Sequence, residues 1–225
     1  LQNPGKALRK LLQGPDIIMA PGIYDGISAR VAEQAGFPMG YLSGAGVATG
    51  YLGEPDIGLT NGSDVADVAR RIAVKAATPF IADADTGYGN ALNVIRTVWD
   101  LEMAGSAGIQ LEDQAAPKRC GHLNGKQCIP AEEFAAKIRA AKYEKMYPET
   151  VIVARTDARA VYDLDEALRR GEMYLNAGAD VLFIEAPQTL EEIRKITETF
   201  RGIPLLHPTA FCKMIGPESM PLSTK

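Results

Sequence analysis

Cysteine and histidine are both scarce in this sequence. Three cysteines, Cys120, Cys128 and Cys212, form an odd and sparse set among 225 residues. Such a set argues against a disulfide framework and favours a reducing compartment, so we expect the protein in the cytoplasm or the mitochondrial matrix. Cys128 and Cys212 have no histidine or cysteine partner at the spacing of a zinc site, and we interpret them as small apolar residues.

Blocks of basic residues and long apolar runs are absent as well. The formal net charge is -4, and no apolar run approaches the ~20 residues needed to cross a bilayer. We therefore expect neither nucleic acid nor a membrane as a partner. Residues 1–17 are polar, so we expect no secretory signal within them. The composition, 46% hydrophobic and 23% charged, is that of a soluble globular protein, and the length suits one large domain or two small ones.

Short apolar runs alternate with amphipathic helical stretches along nearly the whole chain. The continuous apolarity of these runs is typical of parallel strands that are buried on both faces. The predicted strands are 17–20, 40–43, 79–82, 108–112, 151–155, 181–185 and 204–206. The predicted helices between them include 64–77, 90–104, 165–177 and 190–200, and three of the helical stretches end in an Ala-Gly step that is typical of a C-cap.

The repeated strand-then-helix order predicts an α/β fold with a parallel sheet. Polar clusters follow nearly every strand, which favours a (β/α)8 TIM-type barrel over a doubly wound sheet. Only seven strands are predicted, so we expect a barrel that lacks strand 8 and the C-terminal helices. We expect residues 1–206 to form this barrel and residues 207–225, which are rich in proline and glycine, to form an irregular tail.

Acidic residues recur at the ends of two successive strands, as Asp83 and Asp85 and then as Glu112 and Asp113. The ends of barrel strands share one mouth, where catalytic residues collect. Carboxylate ligands suit Mg²⁺ or Mn²⁺ better than zinc. The alternative for each single residue is a solvated loop acid or a helix cap, but the recurrence of the set predicts a metal site.

A thiol lies among cations in the segment 118–122, Lys-Arg-Cys-Gly-His. A cationic setting lowers the pKa of a thiol and makes it a usable proton donor or nucleophile. The alternative is a structural Cys120 beside solvated loop cations. Arg155 and Glu185 end later strands. Arg155 would either bind a substrate carboxylate or pair internally, with Asp157 or with a neighbouring strand, and Glu185 is open to the same two interpretations.

Small residues end the second predicted strand at 43–46, Ser-Gly-Ala-Gly. Such a turn can bind a carboxylate or phosphate oxygen through backbone N–H groups, or it is simply a tight turn. A dinucleotide site is not expected, because Thr49 stands where the third glycine of that fingerprint would be.

The chain resembles the isocitrate lyase / phosphoenolpyruvate mutase superfamily, in particular its branch of methylisocitrate lyases, 2,3-dimethylmalate lyases and oxaloacetate acetylhydrolases. The segments that carry the resemblance are 21–25 (PGIYD), 41–46 (YLSGAG), 83–90 (DADTGYGN), 112–114 (EDQ), 118–122 (KRCGH) and 154–158 (ARTDA). Each of these segments alone is weakly specific, but together they are very specific.

The resemblance implies both a cofactor and a set of site residues. The cofactor would be Mg²⁺, with Mn²⁺ as the alternative, and its ligands would be Asp83, Asp85, Glu112 and Asp56. The substrate would contact Tyr41, Ser43, Gly44, Asp85, Gly121, His122, Arg155 and Glu185. The catalytic residues would be Cys120, which acts as the general acid, together with Arg155 and Glu112.

The implied activity is cleavage of a C–C bond in a branched 2-hydroxy di- or tricarboxylate, which gives an α-keto acid and a second carboxylate. The alternatives are an oxaloacetate acetylhydrolase, a carboxyphosphonate- or phosphoenolpyruvate-type mutase, and a truncated inactive paralogue. The cysteine loop favours C–C cleavage, since the phosphonate mutases do not need its proton. The resemblance further implies a homotetramer or homodimer that acts on a small-molecule carboxylate.

Two departures from the family pattern bear on the substrate. Gln110 stands where methylisocitrate lyases generally carry histidine, which favours the dimethylmalate or hydrolase side. His207-Pro208-Thr209 replaces an Asn-bearing segment that follows the seventh strand in the family.

Overall fold

The computed structural model describes residues 3–121, 123 and 125–207. Within them, seven parallel strands form one curled sheet in chain order, each strand pairing with the next. The strands are β1 Gly22–Ile23, β2 Gly40–Leu42, β3 Phe80–Asp83, β4 Gly108–Glu112, β5 Val151–Thr156, β6 Val181–Ile184 and β7 Leu205–Leu206. The predicted barrel-type α/β fold of seven strands is confirmed.

Helices connect the strands and cover the outside of the sheet. They are α1 Pro4–Leu12, α2 Gly26–Gln34, α3 Gly44–Val47 with the π-helical turn Ala48–Leu52 after it, α4 Gly62–Lys75, α5 Ala91–Met103, α6 Ala131–Glu144, α7 Ala158–Val161, α8 Leu164–Asn176 and α9 Leu190–Thr199. No helix in the described ranges is long and apolar enough to cross a membrane. The predicted tail lies outside the described residues, apart from His207.

Local sequence signals explain where several helices begin and end. The Asn61 side chain accepts hydrogen bonds from the backbone of Ser63 and Asp64, so the N-cap of α4 is Asn61 and the helix begins at Gly62 rather than at the predicted residue 64. The Ala-Gly steps do end α2, α5 and α8, because the glycine after each helix has a positive φ of 85°, 93° or 110°.

The first predicted strand, 17–20, is wrong. The ladder with β2 is made by Gly22 and Ile23 instead. Ile17 and Met19 are 95% and 65% exposed, whereas Ile18 packs against the core. A short apolar run is ambiguous when half of it faces solvent, and here the run leads up to the strand without forming it.

Only part of the apolar surface of α5 faces the core. Leu92 and Met103 are 74% and 66% exposed. The buried positions are Val94, Thr97, Val98, Leu101 and Glu102. Several apolar residues of α5 therefore lie on its outer surface.

The core has two parts, one on each face of the sheet. The larger part packs the helices against the outer face and includes Leu42, Ala82, Ile109 and Ile152. The smaller part fills the inside of the curled sheet near the amino ends of the strands. Its buried members are Leu8, Met39, Ile81, Ala107, Val151, Val153, Val181 and Phe183. Apolar packing thus closes one end of the sheet, and polar side chains occupy the other.

Candidate active site

Strand alternation determines which residues reach the inside of the sheet at the carboxyl ends of the strands. Side chains along a strand alternate between faces, so every second residue points inward. Beyond the apolar inner layer, the same inward positions carry polar groups. They are Tyr41 and Ser43 of the β2 region, Asp83 of β3, Gln110 and Glu112 of β4, Arg155 of β5, and Glu185 after β6. We call this set of residues, together with the charged residues Asp56, Asp85, Lys118 and Asp157 that lie beside it, the mouth.

Asp83 lies at the centre of a hydrogen-bonded group in the mouth. Its carboxylate accepts from Gln110 Nε2 at 3.0 Å, from the backbone N–H of Asp85 at 3.1 Å and from that of Gly44 at 3.3 Å. The Tyr41 hydroxyl donates to Gln110 Oε1. Burial, assisted by the charge of Asp83, raises the pKa of Tyr41 well above its ordinary value, so the phenol stays protonated.

Lys118 brings two further carboxylates together. Its Nζ lies 2.5 Å from Asp56 Oδ1 and 2.6 Å from Asp85 Oδ1. The contact with Asp85 is an ion pair without hydrogen-bond alignment, since Oδ1 has no hydrogen-bond partner among the described residues. Burial and the charge of Asp83 raise the pKa of Asp85 to about 6, although Lys118 opposes this shift. Asp85 also has a φ of 48°, which is uncommon outside glycine.

Glu112 and Arg155 occupy the middle of the mouth. Arg155 Nε lies 3.5 Å from Glu112 Oε2, and Glu112 Oε1 has no hydrogen-bond partner among the described residues. Burial raises the pKa of Glu112 well above its ordinary value, even though Arg155 lowers it. The guanidinium donates to both oxygens of Asp157 at 3.0 and 3.1 Å and lies 3.7 Å from Glu185. The internal Arg155–Asp157 pair is therefore present, and it fixes the orientation of the guanidinium.

The cysteine segment lies over these groups. The Cys120 N–H donates to the carbonyl of Asp56 at 3.1 Å. At Gly121 a side chain would not fit, because a Cβ atom there would lie 2.5 Å from Arg155 Nη2 and 2.6 Å from Glu185 Oε1. The segment thus approaches the Arg155–Glu185 pair through its backbone. His122, which was predicted to contact the substrate, lies outside the described residues.

Ser43 and Gly44 form the turn that was predicted from the small residues. The Ser43 hydroxyl accepts from the N–H of Gly46 at 3.1 Å and so caps the short helix α3. Gly44 packs directly on the carboxylates, since a Cβ atom there would lie 3.0 Å from Asp83 Oδ2. The turn therefore holds its backbone against the acidic cluster.

Asp113 does not join the mouth, which corrects the sequence-based expectation. It follows Glu112 by one residue and so points to the outer face, where it is fully buried. Its carboxylate accepts from Thr156 Oγ1 at 2.7 Å, Tyr174 OH at 2.8 Å and Arg170 Nη1 at 2.9 Å. Its role is to tie β4 and β5 to α8.

Sequence reasoning missed Lys126. Its Nζ lies 3.1 Å from Asp157 Oδ1 and donates to the carbonyl of Gly121, and its side chain is 4% exposed. Nothing in the local pattern of a glycine-flanked loop distinguishes this lysine from a solvated one. Next to it is a cleft of about 240 Å³ lined by Gly121, Leu123, Gly125, Lys126, Ala160, Val161 and Ala186.

The mouth has the donor chemistry of a divalent-cation site, although its carboxylates are not arranged around a common point. Among the described residues, no three histidine, cysteine or acidic side chains are placed to hold a metal ion. Lys118 instead lies between Asp56 and Asp85. Among the described residues the buried Glu112 Oε1 has no hydrogen-bond partner, and the pKa values of Asp85 and Glu112 are both raised, which indicates more negative charge than the neighbouring cations compensate. An oxygen-binding dication fits that excess.

Sequence comparison places the chain among known proteins. Residues 8–212 match the family described as phosphoenolpyruvate phosphomutase. The chain is 45% identical over 203 residues to 2,3-dimethylmalate lyase of Eubacterium barkeri, an alignment that covers 90% of this chain and 70% of that protein. It is 46% identical over 213 residues to 2-methylisocitrate lyase of Aeropyrum pernix, covering 95% of this chain and 68% of the relative.

Solved structures agree with these relatives. Oxaloacetate acetylhydrolase in complex with the inhibitor 3,3-difluorooxalacetate superimposes with a TM-score of 0.87 at 38% identity, covering 90% of this chain and 70% of that one. Phosphonopyruvate hydrolase in complex with oxalate and Mg²⁺ superimposes with a TM-score of 0.80 at 34% identity, covering 90% and 71%. The relatives are enzymes, and the prediction of an enzyme is confirmed. The chain belongs to the phosphoenolpyruvate phosphomutase family, within the PEP mutase/isocitrate lyase superfamily.

Proposed function

We propose that this protein is a divalent-metal-dependent lyase that cleaves a C–C bond of a branched 2-hydroxy di- or tricarboxylate. The observation that carries the proposal is the juxtaposition of buried carboxylates with the thiol segment at one end of the sheet. The names of the relatives support the same reaction type.

The metal site we propose consists of Asp83, Asp85, Glu112 and Asp56, with Mg²⁺ as the ion and Mn²⁺ as the alternative. When bound, such an ion would neutralise negative charge that develops on substrate oxygens, an effect worth several kcal/mol. Lys118 would have to give up its present position between Asp56 and Asp85 when the ion binds.

The side chains of the mouth would orient the substrate. Tyr41, Ser43 and Gly44 are proposed to contact its keto-acid portion, with Asp85 nearby.

Arg155 is proposed to bind a carboxylate of the substrate, and its pair with Asp157 holds the guanidinium in one orientation. Gly121, His122 and Glu185 are proposed to surround the second carboxylate. These assignments rest on the family resemblance and on the placement of the described residues in the mouth.

Proton transfer would need one base and one acid. Glu112 is our candidate for the base, because its carboxylate lies in the middle of the mouth and its Oε1 has no hydrogen-bond partner among the described residues. It would take the proton of the 2-hydroxyl as the adjacent C–C bond breaks and the carbonyl of the keto acid forms. The electron pair of the broken bond would stay with the departing carboxylate fragment, and Cys120 would give its S–H proton to that carbon.

Oxaloacetate hydrolysis to oxalate and acetate is the second candidate. The observation in its favour is Gln110, which bridges Tyr41 and Asp83 where methylisocitrate lyases generally carry histidine. The likeness to oxaloacetate acetylhydrolase is consistent with it.

A product assay separates the candidates. Purified protein with Mg²⁺ is incubated with 2,3-dimethylmalate, 2-methylisocitrate, oxaloacetate or phosphonopyruvate, and pyruvate, oxalate and phosphoenolpyruvate are measured. Pyruvate formed from either branched acid supports the lyase. Oxalate formed from oxaloacetate, without pyruvate from the branched acids, supports the hydrolase. Phosphoenolpyruvate from phosphonopyruvate would point to a mutase, and no turnover of any substrate by folded protein would favour an inactive paralogue.

We also propose that the chain forms a homodimer or homotetramer. Apolar side chains on the outer surface support this, since Leu92 and Met103 of α5 and Val74 of α4 are all more than half exposed. Light scattering coupled to size-exclusion chromatography tests the proposal, and a monomer at micromolar concentration would contradict it.

A further inference from the structure

Three consecutive residues of the cysteine segment are each held by a different part of the molecule. The Gln114 side chain accepts from the N–H of Arg119 at 3.0 Å and donates to its carbonyl at 2.9 Å. The Cys120 N–H donates to the carbonyl of Asp56 at 3.1 Å. Lys126 Nζ donates to the carbonyl of Gly121. The backbone on both sides of the thiol is therefore fixed by polar contacts.

Lys126 differs from the other two anchors because it contacts both the segment and the mouth. The same Nζ lies 3.1 Å from Asp157 Oδ1, and Asp157 holds the Arg155 guanidinium through two hydrogen bonds. A path of contacts thus runs from the Gly121 carbonyl through Lys126 and Asp157 to Arg155. Gly121 itself leaves no room for a side chain beside Arg155 Nη2.

The loop that carries Lys126 is closed at its base. Gln114 and Cys128 form an antiparallel bridge, and the N–H of Ala115 donates to the carbonyl of Gln127 at 2.7 Å. Lys126 is one residue from this closure, so its backbone is fixed relative to β4. Its side chain is almost fully buried, which makes the loss of its charge more consequential than the loss of a surface lysine.

We propose that Lys126 is a positioning residue that fixes the Cys120–Gly121 peptide relative to Arg155. This inference rests on the proposed function for its effect on turnover, but the geometry that it describes is testable without turnover. Lys126 does not need to touch the substrate in this role, because its Nζ is engaged by the Gly121 carbonyl and by Asp157.

The experiment compares Lys126→Met, Lys126→Arg and the control Lys142→Met. Methionine keeps the apolar stem but removes the ammonium, while arginine keeps a donor that can reach both acceptors, with the cleft of about 240 Å³ beside it offering room. Lys142 pairs with Asp180 at 2.8 Å, away from the mouth, so its substitution removes an ion pair without affecting the segment.

The first readout is the rate at which iodoacetamide alkylates Cys120, with peptide mapping to score Cys128 and Cys212 separately. Lys126→Met should raise the rate at Cys120 by about fivefold or more, because the segment is freed to open locally. Lys126→Arg should lie close to the wild type, and Lys142→Met should match it. An unchanged alkylation rate in a folded Lys126→Met protein would overturn the proposal, whatever the protein catalyses.

The second readout is steady-state kinetics on the substrate that the product assay identifies. Lys126→Met should lower kcat by about 10- to 100-fold with KM within about threefold, because a misplaced acid slows proton transfer without removing a substrate contact. A rise in KM alone would overturn the positioning role in favour of direct substrate binding. If the wild type has no activity at all, the proposed function fails, and the alkylation rates decide the inference alone.

Discussion

At the scale of single residues, the mouth carries more buried negative charge than its cations compensate. Among the described residues, six largely buried carboxylates lie near three buried or largely buried cations. The carboxylates are Asp56, Asp83, Asp85, Glu112, Asp157 and Glu185, and the cations are Lys118, Lys126 and Arg155. Such an arrangement costs stability in the absence of a further cation, because burial and mutual repulsion both disfavour the ionised carboxylates.

Asp85 allows this cost to be measured through pH. Its pKa is raised from 3.8 to about 6, so folding disfavours the charged form, and the stability lost to this group grows as pH rises from about 4 to about 6. In EDTA at pH 8, Asp85→Asn should therefore be more stable than the wild type by about 1–3 kcal/mol, and this gain should shrink towards pH 4. Urea denaturation at both pH values measures it.

The control for this prediction is Asp67→Asn. Asp67 is partly exposed on α4 and pairs with Arg71, so its substitution should change stability little at either pH. A variant Asp85→Asn that is less stable than the wild type at pH 8 would contradict the account of the charge excess.

Cys120 carries the prediction about proton transfer. Cys120→Ser should abolish C–C cleavage, because a serine hydroxyl is a far weaker acid than a thiol, while the affinity for oxalate in the presence of Mg²⁺ should stay within a few-fold. Product assay and calorimetric titration measure the two quantities. Turnover at the wild-type rate in Cys120→Ser would exclude the thiol as the acid.

At the scale of elements, the position of a residue on its strand decides whether it serves the site or the fold. Glu112 and Asp113 are adjacent acids, but strand alternation sends Glu112 into the mouth and Asp113 to the helices. Asp113 joins β4, β5 and α8 through Thr156, Arg170 and Tyr174.

Asp113→Asn should therefore lower the free energy of unfolding, and not only the rate of catalysis. The substitution leaves the buried Arg170 without its charged partner at 2.9 Å, although Glu166 still pairs with its Nε. Breaking a buried ion pair in this way costs about 3–5 kcal/mol, so urea denaturation should show a loss of that order. A loss below about 0.5 kcal/mol, as expected for the surface variant Asp67→Asn, would contradict the structural role.

The sequence predicted strands β2 to β7 and helices α4, α5, α8 and α9 close to their observed bounds. Strands β2 to β7 were found because continuous apolar runs ended at polar residues, and the mouth acids because they follow β3 and β4. The prediction of a strand at 17–20 was wrong because an exposed Ile17 and a half-buried Ile18 look alike in sequence. Lys126 was missed because its partners, Gly121 and Asp157, are set by the path of a loop and by tertiary packing, which no local pattern records.

At the scale of the whole molecule, one end of the sheet holds apolar packing that stabilises the fold, and the other end holds the candidate active site. Apolar side chains, together with Leu8 of α1, fill the interior near the amino ends of the strands. The interior near the carboxyl ends is polar and charged. A dication that binds at the mouth of the folded protein, and not to the unfolded chain, should stabilise the folded state.

Thermal unfolding tests that stabilisation without any substrate. Saturating Mg²⁺, at about 100 times its Kd, should add about 2.7 kcal/mol and raise the midpoint of unfolding by roughly 5–10 °C relative to EDTA. Asp83→Ala should show no such rise, while Asp67→Asn should respond like the wild type. An equal rise in Asp83→Ala would place the ion elsewhere.

The most direct test of the central claim, that the mouth carboxylates hold a dication needed for C–C cleavage, is the initial rate of keto-acid release as a function of Mg²⁺ concentration. With a branched 2-hydroxy dicarboxylate as substrate, we predict a rate that saturates with Mg²⁺, falls to background in EDTA and is absent in Asp83→Ala at every concentration. Full keto-acid release from chelator-treated protein, or from Asp83→Ala, would contradict the account.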